Sequence, residues 1–241
     1  IKALSERLDL PASTVHRLLA LLMKERIVER GDIPHSYRAG VEFYRIGSLV
    51  AASRSVRDVA RPFLERVGEA TGEVCLLMRF MPGAHRVMLE DSVDSPHPLR
   101  YSISLYEPLS VLWGATGRSV LAFLPEEEIA AIHAEAGLSP ATGQEPPALD
   151  DLLGDLREIR RKGYALTFGQ KIPGAVGFGA PVFERGGRVF GSLCVTIPQL
   201  RYDPAQESAI AGILRREAAG LSAALGWHSM GQEQQGARKR G

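Results

Sequence analysis

The sequence predicts an α+β protein: a small helix-turn-helix with a basic hairpin wing, then a larger domain with a mainly antiparallel sheet flanked by helices. Three observations predict it. Segments of helical periodicity and segments of strand alternation are interleaved, and the strands come as hairpins around Gly- and Pro-rich turns. A doubly wound parallel fold would need strict strand-helix-strand alternation, which the middle of the chain lacks. The composition is globular, with 45% of the 241 residues hydrophobic and 24% charged, a length that fits one or two domains. Finally, charge is divided. Residues 1–61 hold 11 Lys+Arg against 7 Asp+Glu, residues 62–228 hold 15 against 20, and residues 229–241 hold 3 against 1. A basic end on an acidic body predicts that the N-terminal part meets a polyanion.

Residues 1–8 read as a helix, with Leu4 and Leu8 one turn apart. Asp9-Leu10-Pro11 is a turn, and Pro11 suits the first turn of the next helix, which runs to about Glu25. In that helix Val15, Leu18, Leu19 and Leu22 fall on one stripe, predicted to be buried, while Ser13, Arg17, Ala20 and Lys24 lie on a polar or small face. Ile27–Arg30 and Tyr37–Ala39 form a hairpin around the turn-rich residues 31–36, and residues 41–56 form a connecting helix. The larger domain opens with a helix over Val59–Ala70, stopped by Thr71-Gly72. Strands follow over Glu73–Phe80 and Arg86–Glu90 around Met81-Pro82-Gly83, then a weaker strand over Leu99–Leu105. Gly117–Phe123 and Pro125–Ala136 read as helices, with Glu126-Glu127-Glu128 as a solvated first turn. Residues 137–148 form a loop. Leu149–Lys162 is an amphipathic helix that puts Leu149, Leu152, Leu153, Leu156 and Ile159 inward and stops at Gly163. Tyr164–Phe168, Ala175–Phe183 and Val189–Ile197 read as strands, the last two a hairpin around Gly186-Gly187. A helix over Pro204–Leu225 precedes Gly226 and a polar tail predicted to be disordered.

No uninterrupted apolar run approaches the roughly 18 residues of a membrane-spanning helix. No charged-then-apolar leader opens the chain. The two cysteines, Cys75 and Cys194, are too few for a disulfide framework or a Cys-rich zinc site. These features predict a cytoplasmic protein with reduced thiols, no metal, no cofactor and no membrane contact. The first residue is Ile1 rather than Met, so a preceding stretch is expected to be missing.

Two short helices joined by a tight turn are the arrangement in which the second helix lies in the DNA major groove, its N-terminal residues at the base edges. Helical spacing frees Ser13, Thr14, His16 and Arg17 for that role. Short hydroxyls at a helix N-terminus suit phosphates, and Arg17 is long enough for a phosphate or a guanine edge. Lys24 on the same helix and Arg38 in the basic hairpin are placed to touch the neighbouring backbone.

The string LSERLDLPASTVHRLLALL resembles the helix-turn-helix of IclR-family transcriptional regulators, with Leu4, Glu6, Leu10, Pro11, Ser13, Thr14, Val15, Arg17, Leu18, Leu19 and Leu22 in matching positions. The resemblance continues through YRAGVEFYRIGSL, VARPFLERVGEATGEVCLL, GATGRSVLAFLPEEE, LREIRRKGYALTFGQ and GAPVFERGGRVFGSLCVTIP, and so covers most of residues 1–227. It implies a winged helix-turn-helix over residues 1–40 that lacks the family's first helix. A linker helix over 41–56 and a GAF/PAS-like effector domain over 57–228 follow, leaving 229–241 as the tail. It implies a homodimer or homotetramer on double-stranded operator DNA, modulated by a small-molecule effector, often a carboxylic or aromatic acid.

Carried over position by position, the resemblance puts Ala115, Thr116 and Gly117 on one wall of the effector pocket. Gly117 would be at a helix start, where backbone N–H groups favour a carboxylate. Ala175 and Gly177 come from the penultimate strand, and Cys194 and Thr196 share one face of the last. Arg79, Arg86 and Arg100 could counter an acidic ligand, though each reads as a surface residue. The sequence also departs from the pattern. The turn glycine is Asp9, which tolerates the left-handed conformation better than most residues. The acidic pair after the Gly-Tyr-Ala strand is Thr167 and Gln170, and the usual glycine of the final strand is Ile197, which predicts a less acidic pocket, bulkier at one end.

Two rival readings differ in class. One is a small-molecule sensor that acts through protein partners with weak or no DNA binding. The other is an enzyme using Cys194 as nucleophile. Against the second, the sequence holds no His-Glu-x-x-His, Cys-x-x-Cys, phosphate loop or nucleophile elbow, and its six histidines are scattered.

Overall fold

The structure, a computed structural model, describes residues 1–52, 56–101 and 107–227. The chain divides into two compact units, residues 1–55 and 56–241. Among the described residues no helix is long and apolar enough to cross a membrane.

The N-terminal unit holds α1 (Lys2–Leu8), α2 (Ala12–Lys24), the antiparallel pair β1 (Val28–Arg30) and β2 (Tyr37–Ala39), and α3 (Val41–Ala52). Asp9 ends α1 in the left-handed conformation at φ 51°, as the reading of the turn anticipated, and the Leu10 N–H bonds back to the Ser5 carbonyl at 3.1 Å. Val15 and Leu19 are the buried side chains of α2. Leu18 and Leu22, predicted to share their stripe, are 41% and 38% exposed. The reason is cover: α1 is a seven-residue helix with no buried residue of its own. Gly40 sits where β2 turns into α3. A Cβ there would lie 2.1 Å from the Arg26 carbonyl oxygen, so only glycine lets the hairpin close on the end of α2.

The C-terminal unit is a six-stranded, wholly antiparallel sheet in the order β5-β4-β3-β8-β7-β6. Its strands are β3 (Val74–Met81), β4 (Arg86–Val93), β5 (Leu109–Ser110), β6 (Ala165–Phe168), β7 (Ala175–Phe183) and β8 (Val189–Pro198). Alternation splits the strands β3, β4 and β8 between two cores. Cys75, Leu77, Val176, Phe178, Leu193, Val195 and Ile197 face α4 (Val56–Thr71) and α8 (Glu207–Ala224). Val74, Leu76, Met78 and Cys194 face α5 (Gly114–Leu121), α6 (Glu126–Ala134) and α7 (Leu149–Lys162). The sheet is therefore the middle of three layers.

Most predicted elements stand within three residues of their expected limits. Gly163 stops α7 at φ 76°, and Gly186 and Gly187 take φ 87° and 78° in the β7–β8 turn. The helix expected from Gly117 begins instead at Gly114. The short β5 was not anticipated, because two residues carry no alternation to read. Of the weak strand over Leu99–Leu105, residues 99–101 are not strand and the remainder, with the 229–241 tail, lies outside the described residues.

Candidate nucleic-acid interface and ligand pocket

On α2 the residues expected to read DNA are at the surface. Ser13, His16, Arg17 and Lys24 are exposed and Thr14 is partly so. Among the described residues the side chains of Arg17, His16 and Lys24 make no hydrogen bond or ion pair, and all three are exposed. Helix geometry adds the first N–H groups of α2, which no intrahelical carbonyl can reach behind Pro11. Arg38 stands differently. Its guanidinium lies 3.2 Å from Asp32 and 3.7 Å from Glu29 across the hairpin, both exposed pairs. Glu29 also accepts the Val41 N–H at 3.2 Å, tying the hairpin to the start of α3.

In the C-terminal unit a small cavity of about 40 Å³ opens where the first turn of α5 meets β7 and the β6–β7 loop. Five predicted effector residues line it: Ala115, Thr116, Ala175, Gly177 and Thr196. The strands explain why. Gly177 pairs with Thr167 on β6 and with Thr196 on β8, so three neighbouring strands present one row to the cavity. With no side chain at Gly177 or Gly179, α5 packs against strand backbone; a Cβ at Gly179 would lie 2.5 Å from the Ala115 carbonyl oxygen.

Three pocket expectations are corrected. Gly117 is in the second turn of α5, not at its start, and it is packed against the Val111 backbone, 2.4 Å from where a Cβ would meet that carbonyl. It serves close packing rather than a carboxylate seat; the residue at the helix start is Gly114, whose N–H donates to Gln170 Oε1 at 3.3 Å. Cys194 does share a face with Thr196, but it is 1% exposed and lies beneath the cavity. It belongs to a buried polar chain with Ser192 (3.1 Å), which in turn bonds Ser119 (2.6 Å). Burial pushes its thiol pKa up, the opposite of what an attacking thiolate needs. Ile197 points to the α4/α8 side, so it does not narrow the pocket.

Sequence reasoning missed Lys171. Its ammonium donates to the Ser110 carbonyl at 3.0 Å and edges the same cavity. Burial lowers its pKa to about 8 from 10.5. The signal was present: Lys171 is the one charged residue between Gly163 and Phe183. Of the three arginines considered as counter-charges, Arg79 is engaged by Glu90 at 2.7 Å and lies over the Phe190 ring. Among the described residues the Arg86 guanidinium bonds only the His85 carbonyl. No group of His, Cys, Asp and Glu side chains suited to a metal ion occurs among the described residues.

Comparison with known proteins agrees with this architecture. The family described as bacterial transcriptional regulator IclR C-terminal matches residues 48–223, and the IclR helix-turn-helix domain matches residues 1–32. The HTH-type transcriptional regulator ArcR of Halobacterium salinarum is 27% identical over 222 residues, 92% of this chain and 84% of that protein. The transcriptional repressor IclR of Escherichia coli is 25% identical over 196 residues, 81% of this chain and 71% of that protein. A crystal structure of an IclR-type transcriptional regulator from Silicibacter sp. superposes with a TM-score of 0.82 at 25% identity, covering 94% of this chain and 89% of that one.

Proposed function

This chain belongs to the IclR family of bacterial transcriptional regulators, and from that premise we propose that it is an operator-binding regulator whose affinity for DNA is set by a small molecule held in the C-terminal unit. Its relatives are regulators of transcription rather than enzymes. The observation that carries the DNA-reading assignment is the unpaired polar face of α2, with Ser13, His16 and Arg17 exposed. Ser13 and Thr14 fix the helix on phosphates, Arg17 reads a base edge or phosphate, and Lys24 and Arg38 contribute to backbone attraction. The effector occupies the pocket of Ala115, Thr116, Ala175, Gly177 and Thr196, opened by movement of the loop between Gly169 and Gly174, both at positive φ. A small carboxylic or aromatic acid suits its hydroxyls and backbone donors. The protein acts as a homodimer or homotetramer; Val41, Phe43, Tyr44 and Ile46 on α3 are each about half exposed or more, and apolar exposure of that kind favours a partner surface. An effector that prefers one of two assembly arrangements then changes operator affinity, for which about 1–3 kcal/mol of coupling suffices.

The test is binding of Arg17→Ala to operator DNA selected from a random pool, titrated across salt. Loss of about 1–3 kcal/mol of specific affinity is expected. Unchanged specific affinity removes Arg17 from the reading face. No salt-dependent DNA binding by the unaltered full chain would favour the sensor that works through protein partners instead.

A further inference from the structure

The C-terminal unit encloses a second, larger cavity of about 300 Å³ on the far side of Lys171, between the β4–β5 end of the sheet and the segment that follows α6. Its walls are mainly apolar, with Leu109, Trp113, Ile132 and Leu138 among them. Two cations face it, Arg86 and Lys171, and the sheet register brings them together. Arg86 pairs directly with Ser110 across β4 and β5, and the Lys171 ammonium donates to the Ser110 carbonyl at 3.0 Å.

Neither cation has a carboxylate partner among the described residues. Arg86 reaches only the His85 carbonyl, at 3.1 Å. Glu135 lines the cavity too, yet forms no ion pair, and His85 is directed to Glu128 at 3.5 Å. Arg61, Arg66, Arg79, Arg118 and Arg201 each hold a carboxylate within 2.8 Å. Two unneutralised cations beside an aromatic and aliphatic wall are complementary to an anion with an apolar body.

We propose that this cavity is a second small-molecule site, distinct from the effector pocket, that takes a carboxylate with a compact apolar or aromatic body. The carboxylate is received by Lys171 and Arg86 and the body rests against Trp113 and Ile132. The proposal does not depend on the effector reading, because Lys171 is the one residue that lines both cavities.

Benzoate is the probe, with benzamide as its neutral counterpart. The full-length protein carries Trp227→Phe so that Trp113 alone reports; Trp227 stacks on Phe183 at 5.0 Å, away from this cavity. Benzoate should change Trp113 emission saturably, and benzamide should not. Lys171→Met and Arg86→Met should each weaken benzoate binding about tenfold or more. Thr196→Leu, which fills the inner pocket, should leave the benzoate signal in place. Equal binding of benzoate and benzamide, no saturable change with either, or full affinity in both cation variants overturns the proposal. Benzoate binding abolished by Thr196→Leu and kept by Arg86→Met would overturn it while upholding the effector pocket.

Discussion

At Lys171 the fold holds a positive charge where water is scarce, and the lowered pKa of about 8 records the cost. The sign follows from linkage: a group that binds its proton less tightly in the folded state makes stability rise with pH between about 8 and 10.5. Lys171→Met should therefore stabilise the fold at pH 7 by on the order of 1–2 kcal/mol once partial exposure is allowed for, read as a higher melting temperature. That advantage should shrink when the same pair is melted near pH 10. A constant difference across that interval would mean the lysine is charged at no cost. Residue-scale reading of the sequence reached the row of Ala115, Thr116, Ala175, Gly177 and Thr196 because the resemblance and strand alternation agree there. It failed in depth. Alternation says which face Cys194 takes, but not that Ser192 and Ser119 seal it in. Nor does the family pattern tell that Ile197, in step with Leu193 and Val195 along β8, faces the opposite core.

Elements depend on a few backbone positions that the sequence advertises. Asp9 closes the α1–α2 turn at φ 51°, where a non-glycine residue pays about 1 kcal/mol and Asp somewhat less. Asp9→Gly should stabilise the N-terminal unit by a few tenths of a kcal/mol up to about 1, read as a shift in its chemical denaturation midpoint. Gly179→Val should act oppositely on the other unit. The new Cβ would meet the Ala115 carbonyl oxygen at 2.5 Å and its carbon at 2.8 Å, both backbone. α5 must then lift from β7, for a loss of about 2–3 kcal/mol or more, measured by thermal unfolding. Most element limits were legible because glycines mark them, as Gly163 and the Gly186-Gly187 turn do. The start of α5 was not, since Gly114 and Gly117 stand three residues apart and either can open a helix. Only the structure shows that Gly114 carries the positive φ while Gly117 is pressed on Val111.

For the molecule as a whole, two units with separate interiors predict separable defects. Leu214, wholly buried between α8 and the sheet, anchors the larger interior. Leu214→Ala should cost about 2–5 kcal/mol in the main thermal transition, yet below that transition leave the salt dependence of DNA binding unchanged. Arg17→Ala should do the reverse, lowering the slope of log affinity against log salt by about 1 without moving the main transition. The division of charge already hinted at this organisation, since the excess of lysine and arginine ends near residue 61. Hidden from the sequence was how the pocket is walled. Gly177 and Gly179 bring bare strand backbone against the first turn of α5, and a main chain has no group that substitution can trim. A lineage adapting this chamber to a different metabolite can carve room from the sides held by Thr116, Thr167, Gln170, Lys171, Ile172 and Thr196. The range of chemistries open to it is thus set by those side chains, with the floor left to the main chain.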